Sequence, residues 1–128
     1  MSYAKQNNLS SAAIQSGDQY QLPGIDGATA CAAGVANSLP ADLRIRIAGC
    51  SGQNAYPISG FSWIVLHQNQ KDATRGQALI TVLWWLTHDG QQYSKDLFYA
   101  PLPQQVVSKD EQQLTSIKAN GQPIQPAR

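Results

Sequence analysis

One glutamate, two histidines and two cysteines are all that the chain offers of the residue types that most often do catalysis or hold metals. A lone Glu111 leaves a paired-carboxylate glycosidase site poorly supplied. The seven aspartates fall mostly at helix ends or on expected solvent faces, where the helix dipole and water account for them. No Cys-x-x-Cys pair and no Cys/His cluster occurs, which excludes the usual zinc arrangements. His67 and His88 stand far apart among amides and apolar residues and read as ordinary histidines. Neither the P-loop pattern nor the dinucleotide fingerprint nor a G-x-S-x-G elbow is present. A Ser-His-Asp set can assemble in space from any order, but nothing here points to one. The expectation is a protein that is not an enzyme and has no cofactor and no metal site.

Charge is equally scarce. Charged residues make up 13%, and the net charge is +1. That is about half the ordinary charged share, with Gln and Asn taking its place. A near-neutral chain without a clustered basic face is a poor ligand for nucleic acid or for a membrane surface. Arg44 and Arg46 alternate in "LRIRI" and would share one strand face, either as solvated residues or as an anion or partner contact. The longest apolar run, "ALITVLWWL", has nine residues, far short of a membrane span. "MSYAKQNNLSS" lacks the apolar core and cleavage site of a signal peptide. Taken as a complete product, the chain would therefore be cytoplasmic.

What is present is a foldable chain: 42% hydrophobic residues in 128 argue for one real core and against disorder. "YAKQNNL" reads as the end of a helix. "SSAAIQSGDQYQLP" reads as two short strands about Ser16-Gly17-Asp18, where glycine provides the positive φ of a tight turn. The Ala-rich stretch from about 24 to 38 predicts a small-sided helix, weakened by Gly27 and Gly34 by about 1 kcal/mol each. "DLRIRIAG" predicts a strand, and "FSWIVLHQ", apolar on both faces, predicts an interior one. "KDATRGQALITVLWWLTHDG" predicts a helix capped by Asp72 or Thr74. Its stripe is Leu79, Val82, Leu83 and Leu86, widened by Ala78 and Trp85, with Gly90 as its stop. After a Pro-punctuated turn, a second amphipathic helix follows Pro103, using Val106, Val107, Leu114 and Ile117. Residues 119–128 read as a frayed, flexible tail.

Two features stay open at this level. Cys31 and Cys50, on adjacent elements, are either a disulfide, stabilising by about 3 kcal/mol, or two buried thiols. The α/β inventory also has too few strands: a strand covered on both faces needs neighbours on both edges, because its N–H and C=O groups must pair.

"YPISGFSWIVLHQNQKD" followed by "WWLTHDGQQYSKDLFYAPLPQQVV" resembles the C-terminal portion of the periplasmic phosphate-binding proteins, the substrate-binding subunits of the high-affinity phosphate ABC transporter. "YAKQNNL" and "LPADLRIRI" resemble that family's preceding segments. The resemblance implies an incomplete periplasmic-binding-protein-like α/β fold, with parts of two lobes and a crossover segment. It would divide the chain into 1–55 in the second lobe, 56–118 as crossover and first lobe, and the tail. The family's anion ligands are a Thr-Phe pair, a Ser at a helix start, an Asp, and an Arg before a Ser-Gly-Thr turn. They have no counterpart here, so no phosphate ligand is assigned within the chain. Ser59-Gly60 precedes Phe61, not Thr, and reads as a crossover hinge at the cleft rim made by Tyr56, Pro57, Ser59 and Gly60, or else as an ordinary loop. Pro57 would stiffen the hinge, and Gly60 would permit an unusual backbone angle.

The partners implied are inorganic phosphate in the complete protein only, a transporter permease, and either the N-terminal half or a second copy. The implied compartment is the periplasm. The rival expectation is a free-standing, non-catalytic interaction or structural module that dimerises or pairs with another chain.

Overall fold

The computed structural model describes residues 2–127. Met1 and Arg128, the outer ends of the expected segments 1–55 and 119–128, lie outside the described residues. Among the described residues the fold is mixed α/β, four α-helices with two small sheets. A short helix α1 (Ser2–Gln6) ends at Asn8, whose φ of 53° is the left-handed stop that asparagine tolerates. The hairpin β1 (Ile14–Ser16) and β2 (Gln19–Gln21) turns on Gly17 at φ 61°. Helix α2 (Ile25–Val35) follows and tightens into a 3-10 turn at Ala36–Ser38.

The strand expected at "DLRIRIAG" does not form. Its alternation survives without a ladder: Ile47 is buried and Ile45 packs beside it, while Arg44 and Arg46 are exposed. Arg44 folds back on Asp42, with its backbone N–H donating to Asp42 Oδ1 at 3.2 Å and Nε to Oδ2 at 2.8 Å. That turn, with Leu43 at φ 61°, breaks the segment before it can extend. The interior strand expected at "FSWIVLHQ" is also absent as far as residue 68. Pairing begins only at β3 (Asn69–Gln70), which lies parallel to β4 (Lys118–Ala119), itself antiparallel to β5 (Gln122–Pro123). Phe61 and Leu66 pack inward, but Trp63, Ile64 and Val65 are exposed. The physical reason is shortage: no other described strand lies alongside to take up this segment's backbone groups.

Helix α3 (Ala73–Thr87) begins at Asp72, which accepts from the Arg75 N–H at 3.0 Å. Its inward face is Gly76, Ile80 and Leu83. The expected stripe was rotated from this: Val82, Trp85 and Leu86 are exposed. The helix is apolar nearly all round, and its small Gly76 admits Gln70 and Ile124 at the closest approach. Nor does Gly90 stop the helix; His88 caps it, and a 3-10 segment runs over Asp89–Tyr93.

Helix α4 (Gln104–Thr115) starts after Pro103 and buries Val106, Val107 and Leu114. Residues 119–127 of the tail expected to fray are docked instead. Asn120 and Gly121 make a tight turn at φ 51° and 79°. Ile124 packs on the core, Gln77 donates to the Gln125 carbonyl, and the Ala127 N–H donates to Thr81 Oγ1 at 3.0 Å. The core is in three connected parts: Ile80, Leu83, Leu114 and Ile117 between α3 and α4; Cys31, Ile47 and Ala55 under α2; and Ala36, Leu39 and Val106 joining α2 to α4. Phe61 packs against the last two parts together.

Candidate functional site

The segment Tyr56–Gly60 crosses from the α2 core toward α3, and its tethers are backbone groups. The Tyr56 N–H donates to the Gly27 carbonyl at 3.1 Å, and the Gly49 N–H donates to the Pro57 carbonyl at 2.8 Å. Ser59 Oγ turns inward and donates to the Tyr56 carbonyl at 2.7 Å, closing a local turn. The approach to α2 is possible only because residue 27 is glycine: a Cβ there would stand 2.8 Å from Tyr56 Cβ and 3.3 Å from the Asn54 carbonyl oxygen. Gly60 departs from expectation, since its φ is not positive and a Cβ there meets nothing within 4 Å. The positive-φ positions just before the segment are Gly49 at φ 82°, Gly52 at φ 145° and Asn54 at φ 62°, which set the loop that feeds it.

Beneath this segment Cys31 and Cys50 are joined as a disulfide, with Cα atoms 5.6 Å apart and a sequence separation of 19. Cys31 is 1% exposed beside Ile47 and Ala55. The cross-link therefore ties mid-α2 to the loop just before Tyr56. No free cysteine remains.

A second polar cluster, unforeseen from sequence, joins α3 to α4. His88 Nε2 lies 2.9 Å from Glu111 Oε1, Nδ1 lies 2.8 Å from the Trp84 carbonyl, and its ring stacks on the Trp84 indole at 4.2 Å. Residues 88 and 111 carry no local sign of this pairing, which exists only because the helices are adjacent. Next to it on α4, burial pushes the Asp110 carboxyl up to about 6, against the opposing pull of nearby His88. Asp110 borders a small cavity of about 60 Å³ with Leu39, Leu43, Phe61, Trp63 and Val106. Asp42, by contrast, is exposed, and its hydrogen bond from Arg44 holds it below the usual carboxylate range.

Among the described residues no group of three or more His, Cys, Asp or Glu side chains is placed to hold a metal ion. His67 is exposed and distant in sequence from His88. No helix of the described residues is long and apolar enough to cross a membrane. A wider surface hollow of about 510 Å³ lies at the start of α2, bordered by Leu22, Gly24, Asp26 and Asn54. Asp26 occupies that helix's first turn, where its charge meets the N-terminal dipole.

No family model matches the chain. It is similar to the "Phosphate-binding protein PstS" of Xylella fastidiosa (strain Temecula1), at 30% identity over 112 residues, 87% of this chain and 31% of the relative. Similarity to the protein of that name from Pasteurella multocida is 27% over 120 residues, 92% of this chain and 35% of the relative. For Haemophilus influenzae it is 26% over 107 residues, covering 83% and 32%. The chain thus spans about a third of the length of the curated relatives it matches.

Proposed function

We propose that the chain is the C-terminal part of a phosphate-binding subunit of an ABC-type phosphate importer, working in the periplasm with a membrane permease. Its own share is scaffold and hinge. Residues 56–118 complete one lobe, 2–55 belong to the other, and Tyr56, Pro57, Ser59 and Gly60 form a crossover at the cleft rim. The anion would be captured by closure of two lobes, with donors supplied by chain outside these 128 residues.

The observation carrying this reading is the match of 112 residues, at 30% identity, to a third of a phosphate-binding protein. The local chemistry agrees. Arg44 and Arg75 are turned toward Asp42 and Asp72, and no polar or charged residue is buried among the described residues, which supports placing the anion's donors elsewhere in the protein. The tethering of Tyr56 and Pro57 to α2 and to Gly49 gives the crossover a fixed base about which movement would occur.

Two measurements test the proposal together. Titration calorimetry of the isolated chain with inorganic phosphate is expected to give no tight, saturable heat. Substituting the chain for the matched 112 residues of the Xylella fastidiosa relative is expected to leave a protein that binds phosphate. Tight binding by the isolated chain, or loss of binding in a folded chimera, refutes the assignment.

A further inference from the structure

The hairpin of β4 and β5 turns on an Asn-Gly pair. Asn120 and Gly121 are exposed, with φ of 51° and 79°, and the flanking Ala119 and Gln122 pair directly. A two-residue turn of this kind favours Asn-Gly, because both central positions need positive φ. The same dipeptide is open to attack by the chain on itself. Glycine has no Cβ, so its backbone nitrogen can reach the preceding carboxamide without obstruction. No other asparagine of the chain precedes glycine.

In that reaction the Gly121 nitrogen gives up its proton and bonds to Asn120 Cγ, the Cγ–Nδ2 bond breaks, and ammonia leaves. Water then opens the succinimide at one of its two carbonyls and leaves aspartate or isoaspartate at 120. Nothing is oxidised or reduced, and water is the co-reactant. In the folded chain the nucleophile is engaged. The Gly121 N–H donates to Asn69 Oδ1 at 3.1 Å, across a sequence separation of 52, and the Asn120 N–H donates to the Gln70 carbonyl at 3.2 Å. A nitrogen held as a donor keeps its proton, and a turn pinned at two successive N–H groups is not free to rotate onto Cγ. The product matters to the fold. Isoaspartate carries the main chain through an extra methylene, which a two-residue turn cannot absorb, and it adds a negative charge. Beyond the turn, Ile124 packs on the core at Gly76, and the Ala127 N–H donates to Thr81 Oγ1 at 3.0 Å. Both contacts depend on the path that the turn sets.

We propose that Asn120-Gly121 is a self-modification site and that Asn69 restrains it by holding the Gly121 N–H. Opening of the Asn69 contact gates conversion to isoaspartate, and conversion releases residues 122–127 from α3. This inference does not depend on the proposed role in phosphate transport.

The test incubates the full 128-residue chain at mildly alkaline pH and follows residue 120 by peptide mass mapping and by isoaspartate-specific methylation. Conversion in the folded chain is expected to be at least about tenfold slower than in the same chain unfolded in urea, because attack needs a local opening. Asn69→Ala should raise the folded-state rate at least about tenfold. Asn69→Ser, too short to reach Gly121, is the second variant and should behave as Asn69→Ala does. Asn69→Asp keeps the accepting oxygen and should convert at close to the wild-type rate. Residue 69 is exposed, so all three variants should keep the wild-type melting, and in urea all four chains should convert alike. In the converted chain, amide exchange at Ile124 and Ala127, both bonded in the folded state, should quicken. Equal rates for the wild type in and out of urea, or a folded Asn69→Ala or Asn69→Ser chain that converts no faster than wild type, would overturn the proposal. So would an Asn69→Asp chain as fast as those two, or a converted chain with Ile124 and Ala127 still protected.

Discussion

Gly27 and Gly34 lie in the same helix and should respond oppositely to alanine. On helix propensity alone each substitution stabilises by about 1 kcal/mol. At Gly34 nothing lies within 4 Å of an added Cβ, so Gly34→Ala should stabilise by about 0.5–1 kcal/mol. At Gly27 the added Cβ would sit 2.8 Å from Tyr56 Cβ and 3.3 Å from both the Tyr56 nitrogen and the Asn54 carbonyl oxygen. None of these atoms is the end of a flexible side chain, so relief requires the backbone of residues 54–56 to move off α2. That movement strains the 3.1 Å hydrogen bond from Tyr56 N–H to the Gly27 carbonyl. Overpacking costs about 1–3 kcal/mol and a weakened hydrogen bond about 1 more. Against the propensity gain, Gly27→Ala should destabilise by about 1–3 kcal/mol. Urea unfolding at fixed m-value reads both substitutions as shifts of midpoint in opposite directions. Equal stabilisation by the two alanines would show that Tyr56 is not held against α2, and the fixed base of the crossover would be lost with it.

Reducing the Cys31–Cys50 disulfide, or replacing both cysteines by serine, should lower stability by about 3 kcal/mol, the loop-entropy expectation for a closure of this length. Urea unfolding with and without a thiol reductant measures it, and an unchanged midpoint would refute the cross-link's role. Asp110 should give an acid-side pH dependence. Its folded pKa of about 6 lies above the ordinary 3.8, so the folded state binds the proton more tightly. Stability should therefore be highest below pH 3.8 as far as this group is concerned, fall between 3.8 and 6, and level off above. Because the group is only partly buried, solvent screening reduces the effect to about 1 kcal/mol. Asp110→Asn should flatten that window in pH-dependent unfolding, and an unaltered profile would contradict the burial of its carboxyl.

Local chemistry was legible where one residue decides the backbone. Asp72 announces the start of α3, Gly17 the first hairpin, and Pro103 the start of α4. The second hairpin carries a turn signal in Asn120-Gly121, yet its residues read as a frayed tail, because its flanking strands are two residues each and offer no periodicity to frame it. The alternation of "LRIRI" was read correctly as inside and outside, and wrongly as a ladder. Burial of Ile47 needs only packing, whereas a strand needs a neighbour. His88 with Glu111 was illegible for another reason, since the pair is made by the packing of two helices and 23 positions separate its members.

The two largest departures from expectation, the unpaired Gly60–Leu66 and the rotated stripe of α3, have one cause. Hydrophobic pattern records every surface that a sequence is built to bury, including surfaces covered by chain outside the stretch being read. In α3 the pattern put Val82, Trp85 and Leu86 with Leu83, while packing within these residues took the Gly76, Ile80 and Leu83 face and left the other bare. On the proposed function, a helix with two apolar faces and an unpaired extended run beside one sheet are what one part of a layered parallel-sheet fold would present. On that proposal the mismatch between pattern and burial maps the contact surface expected of the chain. It runs over Trp63, Ile64 and Val65 and along α3, and it spares α4, whose apolar residues Val106, Val107 and Leu114 are all buried.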